Sequence, residues 1–228
     1  DIEQDLKQML GLEVGLLRIG AGPYPADLSV GTALGRFVKD HPHILVDLAV
    51  ADWPALTQRV SNSEIELAVA DIMLARQDER LSVDPLPQHQ GYLFCRAGHP
   101  LAGQASLTMA DVRRYPLVAS ALPPRLDSLA AIDRRGLRST LPEGATAPEI
   151  RVDTSALALR VVLDSDAIGG AVPSQIRGEI ANGEVVMLPL ELPWLTTNYG
   201  IIRLANRTPS PAAMAFIEIL QEVEAGID

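Results

Sequence analysis

Histidines are the first side chains of this sequence to test for metal binding. None of the four has a cysteine or a pair of carboxylates at ligand spacing, as a zinc or iron site needs. The four are His41, His43, His89 and His99. Two of them flank the turn residue Pro42, so the favoured interpretation is solvated loop histidines. No metal site is predicted.

Nucleophiles and acid–base pairs are equally scarce. Cys95 is the only cysteine and has no resolving partner, so it is read as a small buried apolar residue. Asp164 and Asp166 lie between a predicted helix and a predicted strand, which favours a solvated turn over paired catalytic carboxylates. The sequence contains neither a phosphate-binding Walker motif nor a Gly-x-Ser-x-Gly elbow. We therefore expect no catalytic set and no enzyme activity.

One glycine-rich segment invites comparison with dinucleotide loops. Gly20 and Gly22 lie at the end of a predicted strand, but Pro25 occupies the third glycine position of that motif. Proline has no amide hydrogen to donate to a pyrophosphate. No nucleotide and no other cofactor is predicted.

Charge and composition narrow the classes of partner. The 228 residues include 19 Lys and Arg against 29 Asp and Glu, a formal charge of −10. Such a chain repels DNA and RNA instead of releasing their counterions. No apolar run is long enough to cross a bilayer, and the amphipathic start DIEQDLKQML does not resemble a secretory signal. The sequence therefore predicts a cytoplasmic globular protein with no membrane partner.

The elements that would position a site alternate between strand and helix. Predicted strands cover 16–22, 44–50, 65–70, 91–96, 117–121, 149–152, 167–172, 185–188 and 198–204. Predicted helices cover 2–10, 27–39, 53–61, 108–114, 126–135, 155–163, 174–181 and a final helix opened by Ser210 and Pro211. This alternation through short connections predicts parallel pairing in an α/β fold, with a boundary near residue 91 and a second α/β unit after it.

Ligands of open α/β sheets bind beyond the carboxyl ends of the strands, and two facing units would form a cleft there. The loops expected to line it are 22–26, 51–53 and 71–73 in the first unit and 120–125, 153–155 and 173–175 in the second. Free amides at helix starts favour an anion such as a carboxylate. Tyr24 and Trp53 offer aromatic area, and each could either contact a ligand or simply pack on its own unit.

Several segments, in this order and spacing, carry a family resemblance that covers 14 to about 223. They are LLRIGAG, FVKDHP, IELAV, GHPLA and IGGAVP. The chain resembles the effector-binding, or substrate-binding-like, domain of LysR-type transcriptional regulators.

The resemblance implies a type 2 periplasmic-binding-protein fold, in which two α/β subdomains enclose a ligand cleft. Subdomain I would comprise 14–90 and 199–228, and subdomain II 91–198, with 1–13 the end of a linker helix. DNA would be bound only through an N-terminal winged helix-turn-helix that this chain lacks, in a homodimer or tetramer. The expected effector-binding residues are Gly22, Pro23, Tyr24, Trp53, Asp71, Ser120, Ala121 and Asp153. Many members place Ser or Thr in the first of these loops to hold a carboxylate, whereas this chain has Gly22-Pro23-Tyr24.

Three functions compete at this point. The leading hypothesis is a sensor whose small-molecule effector changes the arrangement of the two units and thereby DNA binding by the full-length protein. The alternative is the solute-binding protein of a transporter with the same fold. An enzyme on this fold, such as prephenate dehydratase, would carry a Thr-Arg-Phe motif, which the sequence does not contain.

A possible self-association surface is the helix that carries Gly31 and Gly35. Glycines four residues apart let a second backbone approach, and the resemblance implies that this helix meets a partner in an antiparallel dimer. The alternative is that both glycines fit the helix against its own sheet.

Overall fold

The computed structural model describes residues 15–120 and 148–227. They form two compact units: unit 1 comprises 15–87 with 198–227, and unit 2 comprises 88–120 with 148–197. The sequence placed these divisions a few residues later along the chain. The difference arises at His89, whose backbone N–H donates to Thr197 Oγ1 (2.8 Å) while its carbonyl accepts from the Thr197 N–H (3.0 Å). The helices expected at 2–10 and 126–135 lie outside the described residues.

Unit 1 is built on a five-stranded sheet. Its strands are β1 (Gly15–Ala21), β2 (Ile44–Val50), β3 (Leu67–Asp71), β4 (Leu81–Pro85) and β10 (Tyr199–Leu204), in the order β2-β1-β3-β10-β4. β1 pairs in parallel with β2 and with β3, as the alternation of strand and helix predicts. β10 returns from unit 2 and pairs antiparallel with β3 and β4, so the parallel pairing expected from the sequence does not extend to this strand.

The helix after β1 begins earlier than its apolar periodicity indicated. Helical backbone covers Pro23–Pro25, continues through a π-helical segment at Ala26–Val30 and ends with the α-helix Gly31–Asp40. Pro23 stands in the first turn, where the missing amide hydrogen costs no hydrogen bond. The prolines that suggested a loop therefore start the helix instead.

Strand β4 was missed in the sequence. Leu81–Pro85 contains one proline and two polar residues, so it shows little of the apolar run of a buried strand. Within the described sheet it lies at the edge and pairs with β10 alone. A proline at the end of an edge strand interrupts no ladder on the outer side.

Helices cover both faces of the unit 1 sheet. Ile201 and Ile202 are adjacent on β10 and point to opposite faces, yet both are fully buried. On one face Phe37 meets Phe216 of the final helix Pro211–Ala225, with ring centroids 5.9 Å apart. On the other face the helix Trp53–Ser61 packs Leu56 into an apolar cluster that includes Ile65 and Ile202. A short 3-10 turn, Ala75–Gln77, follows β3.

Unit 2 repeats this plan with a second five-stranded sheet. Its strands are β5 (Tyr92–Arg96), β6 (Leu117–Ala119), β7 (Ile150–Arg151), β8 (Ile168–Ala171) and β9 (Val185–Met187), in the order β7-β6-β8-β5-β9. β6 pairs in parallel with β7 and β8, whereas β5, which enters from unit 1, is antiparallel to β8 and β9. Each unit therefore has a parallel centre and one antiparallel crossover strand.

In the described part of unit 2, the helix Ser155–Leu163 is the longest. The others described there are Met109–Val112, the 3-10 turn Pro173–Ile176 and Arg177–Ala181. The single helix expected over 174–181 is therefore divided into a 3-10 part and an α part. Leu117 and Val118 point to opposite faces of β6 and enter two separate apolar clusters. Among the described residues no helix is long and apolar enough to span a membrane.

Two of the histidines interpreted as solvated are buried. His99 is 3 % exposed; its Nδ1 accepts from the Leu101 N–H (3.0 Å) and its Nε2 lies 3.2 Å from the Asp166 carbonyl. His89 is 7 % exposed and stands in the segment that joins the two units. The His99 ring is hydrogen-bonded locally and can therefore be buried at little cost. The interpretation of His89 and His99 as solvated was wrong.

Candidate functional site

The parallel strands of unit 1 end at one edge of its sheet. After β1, the Gly22 N–H donates to the Val69 carbonyl of β3 (2.8 Å), which fixes the first loop against the neighbouring strand. Gly22 is buried, and a Cβ there would lie 3.4 Å from Pro25 Cδ. Pro23 is half-buried and occupies the first helical turn. This loop therefore presents apolar ring atoms and no hydroxyl before Tyr24.

Tyr24 is half-buried and lies near a buried polar pair, Tyr199 and Glu224. Burial raises the pKa of the Tyr199 hydroxyl; the Glu224 charge and hydrogen bond come next, and a smaller effect comes from Tyr24. Tyr24 is thus within electrostatic range of Tyr199, the hydrogen-bond partner of the Glu224 carboxylate.

Trp53 follows β2 and stands in the first turn of its helix. Asp52 Oδ1 caps that helix by accepting from the Ala55 N–H (3.0 Å), as the sequence indicated. Trp53 packs against the apolar cluster that includes Leu56, and it is half-buried. Packing against the core leaves part of the indole accessible at the strand-end edge.

Asp71 is the last residue of β3 and is half-buried. Its Oδ1 accepts from the Met73 N–H (2.9 Å) in a local turn. In the ladder Asp71 pairs with Tyr199, so it stands next to the point where β10 enters the unit.

In unit 2 a pair of serines marks the ends of two parallel strands. Ser120 directly follows β6, and its Oγ lies 3.4 Å from the Oγ of Ser155. Ser155 is the first residue of the helix Ser155–Leu163, whose cap is Thr154 Oγ1 accepting from the Leu157 N–H (3.2 Å). Asp153 is exposed beside this cap. Ala121 lies outside the described residues.

A third serine, Ser174, follows the third parallel strand, β8. It stands in the 3-10 turn Pro173–Ile176, and its Oγ is buried without a hydrogen-bond partner in the described part of the chain. The sequence placed Ser155 and Ser174 in strand-end loops but singled out neither. The available signal was a serine three residues after the strand predicted at 149–152 and another two residues after the strand predicted at 167–172.

The aspartates and the cysteine considered in the sequence for catalysis have structural explanations. Arg96 Nη2 pairs with Asp166 Oδ1 at 2.7 Å, and Arg160 reaches Asp164 at 3.7 Å. Burial raises the pKa of the Cys95 thiol to about 11, which keeps it protonated and unreactive near neutral pH. No group of three or more potential metal ligands occurs among residues 15–120 and 148–227.

Comparison with known proteins gives the same fold. The chain is 35 % identical over 224 residues to the SDS degradation transcriptional activation protein of Pseudomonas sp. (strain ATCC 19151), covering 96 % of this chain and 71 % of that protein. The cofactor-binding domain of the Cbl transcriptional regulator superposes with a TM-score of 0.70 at 19 % identity, covering 94 % of this chain and 90 % of that one. The effector-binding domain of QuiR in complex with shikimate has a TM-score of 0.66 at 17 % identity, covering 95 % and 100 %.

The type 2 periplasmic-binding-protein-like fold expected from the sequence is confirmed by these neighbours. Residues 11–225 match the family described as the LysR substrate binding domain. The chain therefore belongs to the LysR substrate-binding domain family.

Proposed function

We propose that this chain is the effector-sensing domain of a LysR-type transcriptional regulator and has no catalytic activity. The observation that carries the proposal is the family match over residues 11–225, together with a relative that is itself a transcriptional activation protein. A sensor needs an effector whose binding free energy differs between two arrangements of the protein. The transporter alternative has no comparable support among these relatives.

The effector is bound by loops at the carboxyl ends of the parallel strands, where open α/β sheets bind their ligands. Unit 1 contributes Gly22, Pro23, Tyr24, Trp53 and Asp71. Unit 2 contributes Ser120, Ala121 and Asp153. Half-buried aromatic rings at the edge of unit 1 supply apolar contact area, while the serines of unit 2 supply hydrogen-bond donors.

A thermal-shift screen tests this proposal. The panel contains short-chain alkyl sulfates and the corresponding alcohols and acids, because the similar activator is named for SDS degradation. It also contains shikimate and related acids, after the ligand of the QuiR domain, and neutral and cationic metabolites. A ligand at 100 times its Kd stabilises the folded chain by about 2.7 kcal/mol, which is measurable as a rise in Tm. If no compound stabilises the chain, the sensor proposal fails.

The expected assembly is a homodimer or a tetramer that acts in the cytoplasm, with DNA contacted outside the 228 residues of this chain. An exposed apolar set on unit 1 supports self-association. Leu45 is 70 % exposed on β2, an edge strand of the described sheet, and its register partner Leu16 is 47 % exposed. Contiguous exposed apolar surface of this kind marks interfaces more often than free surface.

A further inference from the structure

One face of the unit 1 sheet is only half covered by its helix. Leu16, Arg18 and Gly20 share a face of β1, because side chains alternate along a strand. A Cβ at Gly20 would collide with Leu56, so this is the face on which the helix Trp53–Ser61 packs. Leu16 is nevertheless 47 % exposed, and Arg18 is exposed as well. The helix therefore covers the carboxyl end of β1 on this face and leaves the amino end open.

Strand β2 extends the open surface. Leu45 is the register partner of Leu16 and Asp47 that of Arg18, so the four side chains lie on one face. Leu45 is 70 % exposed, and Asp47 is exposed too. These four residues are here called the leucine face. Its two charges have opposite signs, so what the face offers a partner is the apolar area of two adjacent leucines.

The segment that precedes β1 carries a matching apolar stripe. Residues 1–14 lie outside the described part of the chain and join β1 at Gly15, next to Leu16. The spacing within the predicted helix 2–10 puts four apolar side chains on one side and Gln4 and Gln8 on the other. The apolar four are Ile2, Leu6, Met9 and Leu10. Isolated helices shorter than about 12 residues are marginal in water, so this stripe needs a surface to pack on.

The attachment point favours this segment over a second copy as the occupant of the leucine face. The linker 11–14 reaches at most about 13 Å, and the backbones of β1 and β2 are only about 4.8 Å apart. Gly11 lets the chain reverse direction between the stripe and β1. So short a linker holds the segment at a millimolar effective concentration over the face. A second copy that contacts the helix Gly31–Asp40 does not need these leucines, because Phe37 packs on the opposite face of the sheet.

We propose that residues 2–10 dock on the leucine face of their own chain, with the apolar stripe against Leu16 and Leu45. The contact is apolar, since Asp47 stands beside Arg18 and offsets its attraction for the acidic segment. Docking attaches the segment to unit 1 by packing as well as by the peptide bond. Unit 1 would thereby orient any chain that precedes the segment. The proposal does not depend on effector binding.

Tryptic cleavage at Lys7 gives the first test, on the full 228-residue chain. Lys7 is the only lysine or arginine in residues 1–14, and cleavage there requires the segment to leave its docked position. Leu45→Asp places a charge under the stripe, so cleavage at Lys7 is expected to become about tenfold faster as the undocked population rises. Leu157→Asp is the matched control, because this leucine is 50 % exposed on unit 2.

Disulfide formation gives a second test that leaves the charge of the face unchanged. In a Cys95→Ala background, Leu45→Cys is combined in turn with cysteine at each of the four stripe positions. The controls combine Leu45→Cys with Gln4→Cys or Gln8→Cys. At least one stripe position is expected to form an intramolecular disulfide about tenfold faster than either control, because only docked side chains lie within bonding distance. Met9→Cys with Met214→Cys, on the helix that covers the opposite face, should not react in this way.

Two results would overturn the proposal. The first is a Lys7 cleavage rate that is the same in Leu45→Asp as in the wild type, or that rises as much in Leu157→Asp. The second is an oxidation rate at the stripe positions no higher than at Gln4 and Gln8. Disulfide-linked dimers in place of intramolecular bonds would assign the leucine face to a second copy and also refute the proposal. If Leu45→Asp does not fold, the disulfide rates alone decide.

Discussion

The Tyr199 hydroxyl donates to the Glu224 carboxylate, with Tyr199 Oη 2.9 Å from Oε1 and 3.0 Å from Oε2. Tyr199 begins β10, where the chain re-enters unit 1, and Glu224 lies in the last turn of the final helix. Both are buried, at 4 % and 1 % exposure. This hydrogen bond therefore holds the start of β10, the strand that returns from unit 2, against the final helix, which covers one face of the sheet.

Tyr199→Phe removes this donor and leaves the carboxylate buried. A hydrogen bond to a charged group contributes about 1.5 to 3 kcal/mol, so we expect a loss of that size in the free energy of unfolding. Urea denaturation of the wild-type and variant chains measures it. Tyr92→Phe, which removes a half-buried hydroxyl in unit 2, is the matched control. A loss no greater than that of the control would show that the pair is not stabilising.

Alkaline pH should weaken the fold through the same tyrosine. Burial, then the Glu224 charge, raises the pKa of Tyr199 above its ordinary value of 10.0. Above pH 10 the unfolded chain releases this proton while the native chain retains it, so stability falls as pH rises. Stability measured from about pH 8 to 11 should decline less steeply in Tyr199→Phe.

The comparison is made in a Cys95→Ala background. The Cys95 pKa, raised by burial from 9.0 to about 11, gives a decline of the same sign that begins near pH 9. In that background, equal slopes for the chain that retains Tyr199 and for the chain that carries Tyr199→Phe would contradict the assignment.

The final helix should depend on its cap more than the helix after β2 does. Ser210 Oγ accepts from the Ala213 N–H (3.1 Å) and donates to Glu66 Oε2 (2.9 Å), whereas Asp52 accepts only the Ala55 N–H among the side-chain bonds described. We expect Asp52→Ala to cost about 1 kcal/mol, the usual value of a lost N-cap, and Ser210→Ala to cost more. Chemical denaturation gives both values, and the reverse order would contradict the tertiary role of Glu66.

Local chemistry made much of the fold predictable. The helices 53–61 and 155–163 and the strand 44–50 have the bounds expected from their caps and periodicity. Strand β4 was not predictable because its stability comes from pairing with β10, which is distant in sequence. The antiparallel direction of β10 and β5 was not predictable for the same reason, because it depends on how the chain returns from the other unit.

The candidate site, like the fold, was only partly predictable from the sequence. Sequence periodicity indicates where parallel strands end, and it thereby placed Ser120 and Asp153 in loops of unit 2. It does not give the register of β6 and β7, which is what brings the hydroxyls of Ser120 and Ser155 within 3.4 Å of each other. Register is fixed by packing on both faces of the sheet, and packing is a property of the whole unit.

Trp53→Ala tests the aromatic wall of unit 1. Trp53 is half-buried against the Leu56 cluster, so truncation should cost less than the roughly 3 to 5 kcal/mol of a fully buried aromatic. We expect the folded variant to bind the best ligand of the screen more weakly than the wild type. Calorimetry with that ligand, alongside urea denaturation, separates the two effects. Unchanged affinity in a folded variant would restrict Trp53 to a packing role.

Self-association through the helix Gly31–Asp40 can be tested at Gly35. The alternative that both glycines fit the helix against its own sheet is wrong, because a Cβ at Gly35 would meet no atom within 4 Å and one at Gly31 would meet only the Ala26 carbonyl oxygen, at 3.3 Å. A long side chain at Gly35 therefore fits the isolated chain, and replacing a helical glycine should stabilise it by up to about 1 kcal/mol. In a two-fold dimer the same substitution is repeated at both contacts.

Sedimentation equilibrium of the wild-type chain and of Gly35→Arg provides the measurement. We expect the wild type to sediment as a dimer and Gly35→Arg as a folded monomer of about 24.5 kDa. Gly178→Arg is the control, because a Cβ at this helical glycine of unit 2 also meets no atom within 4 Å. A wild-type monomer at tens of micromolar would refute dimerisation of this chain. A dimer that persists in Gly35→Arg would place the interface elsewhere, since a charged side chain at a close helix contact cannot be desolvated without a large cost.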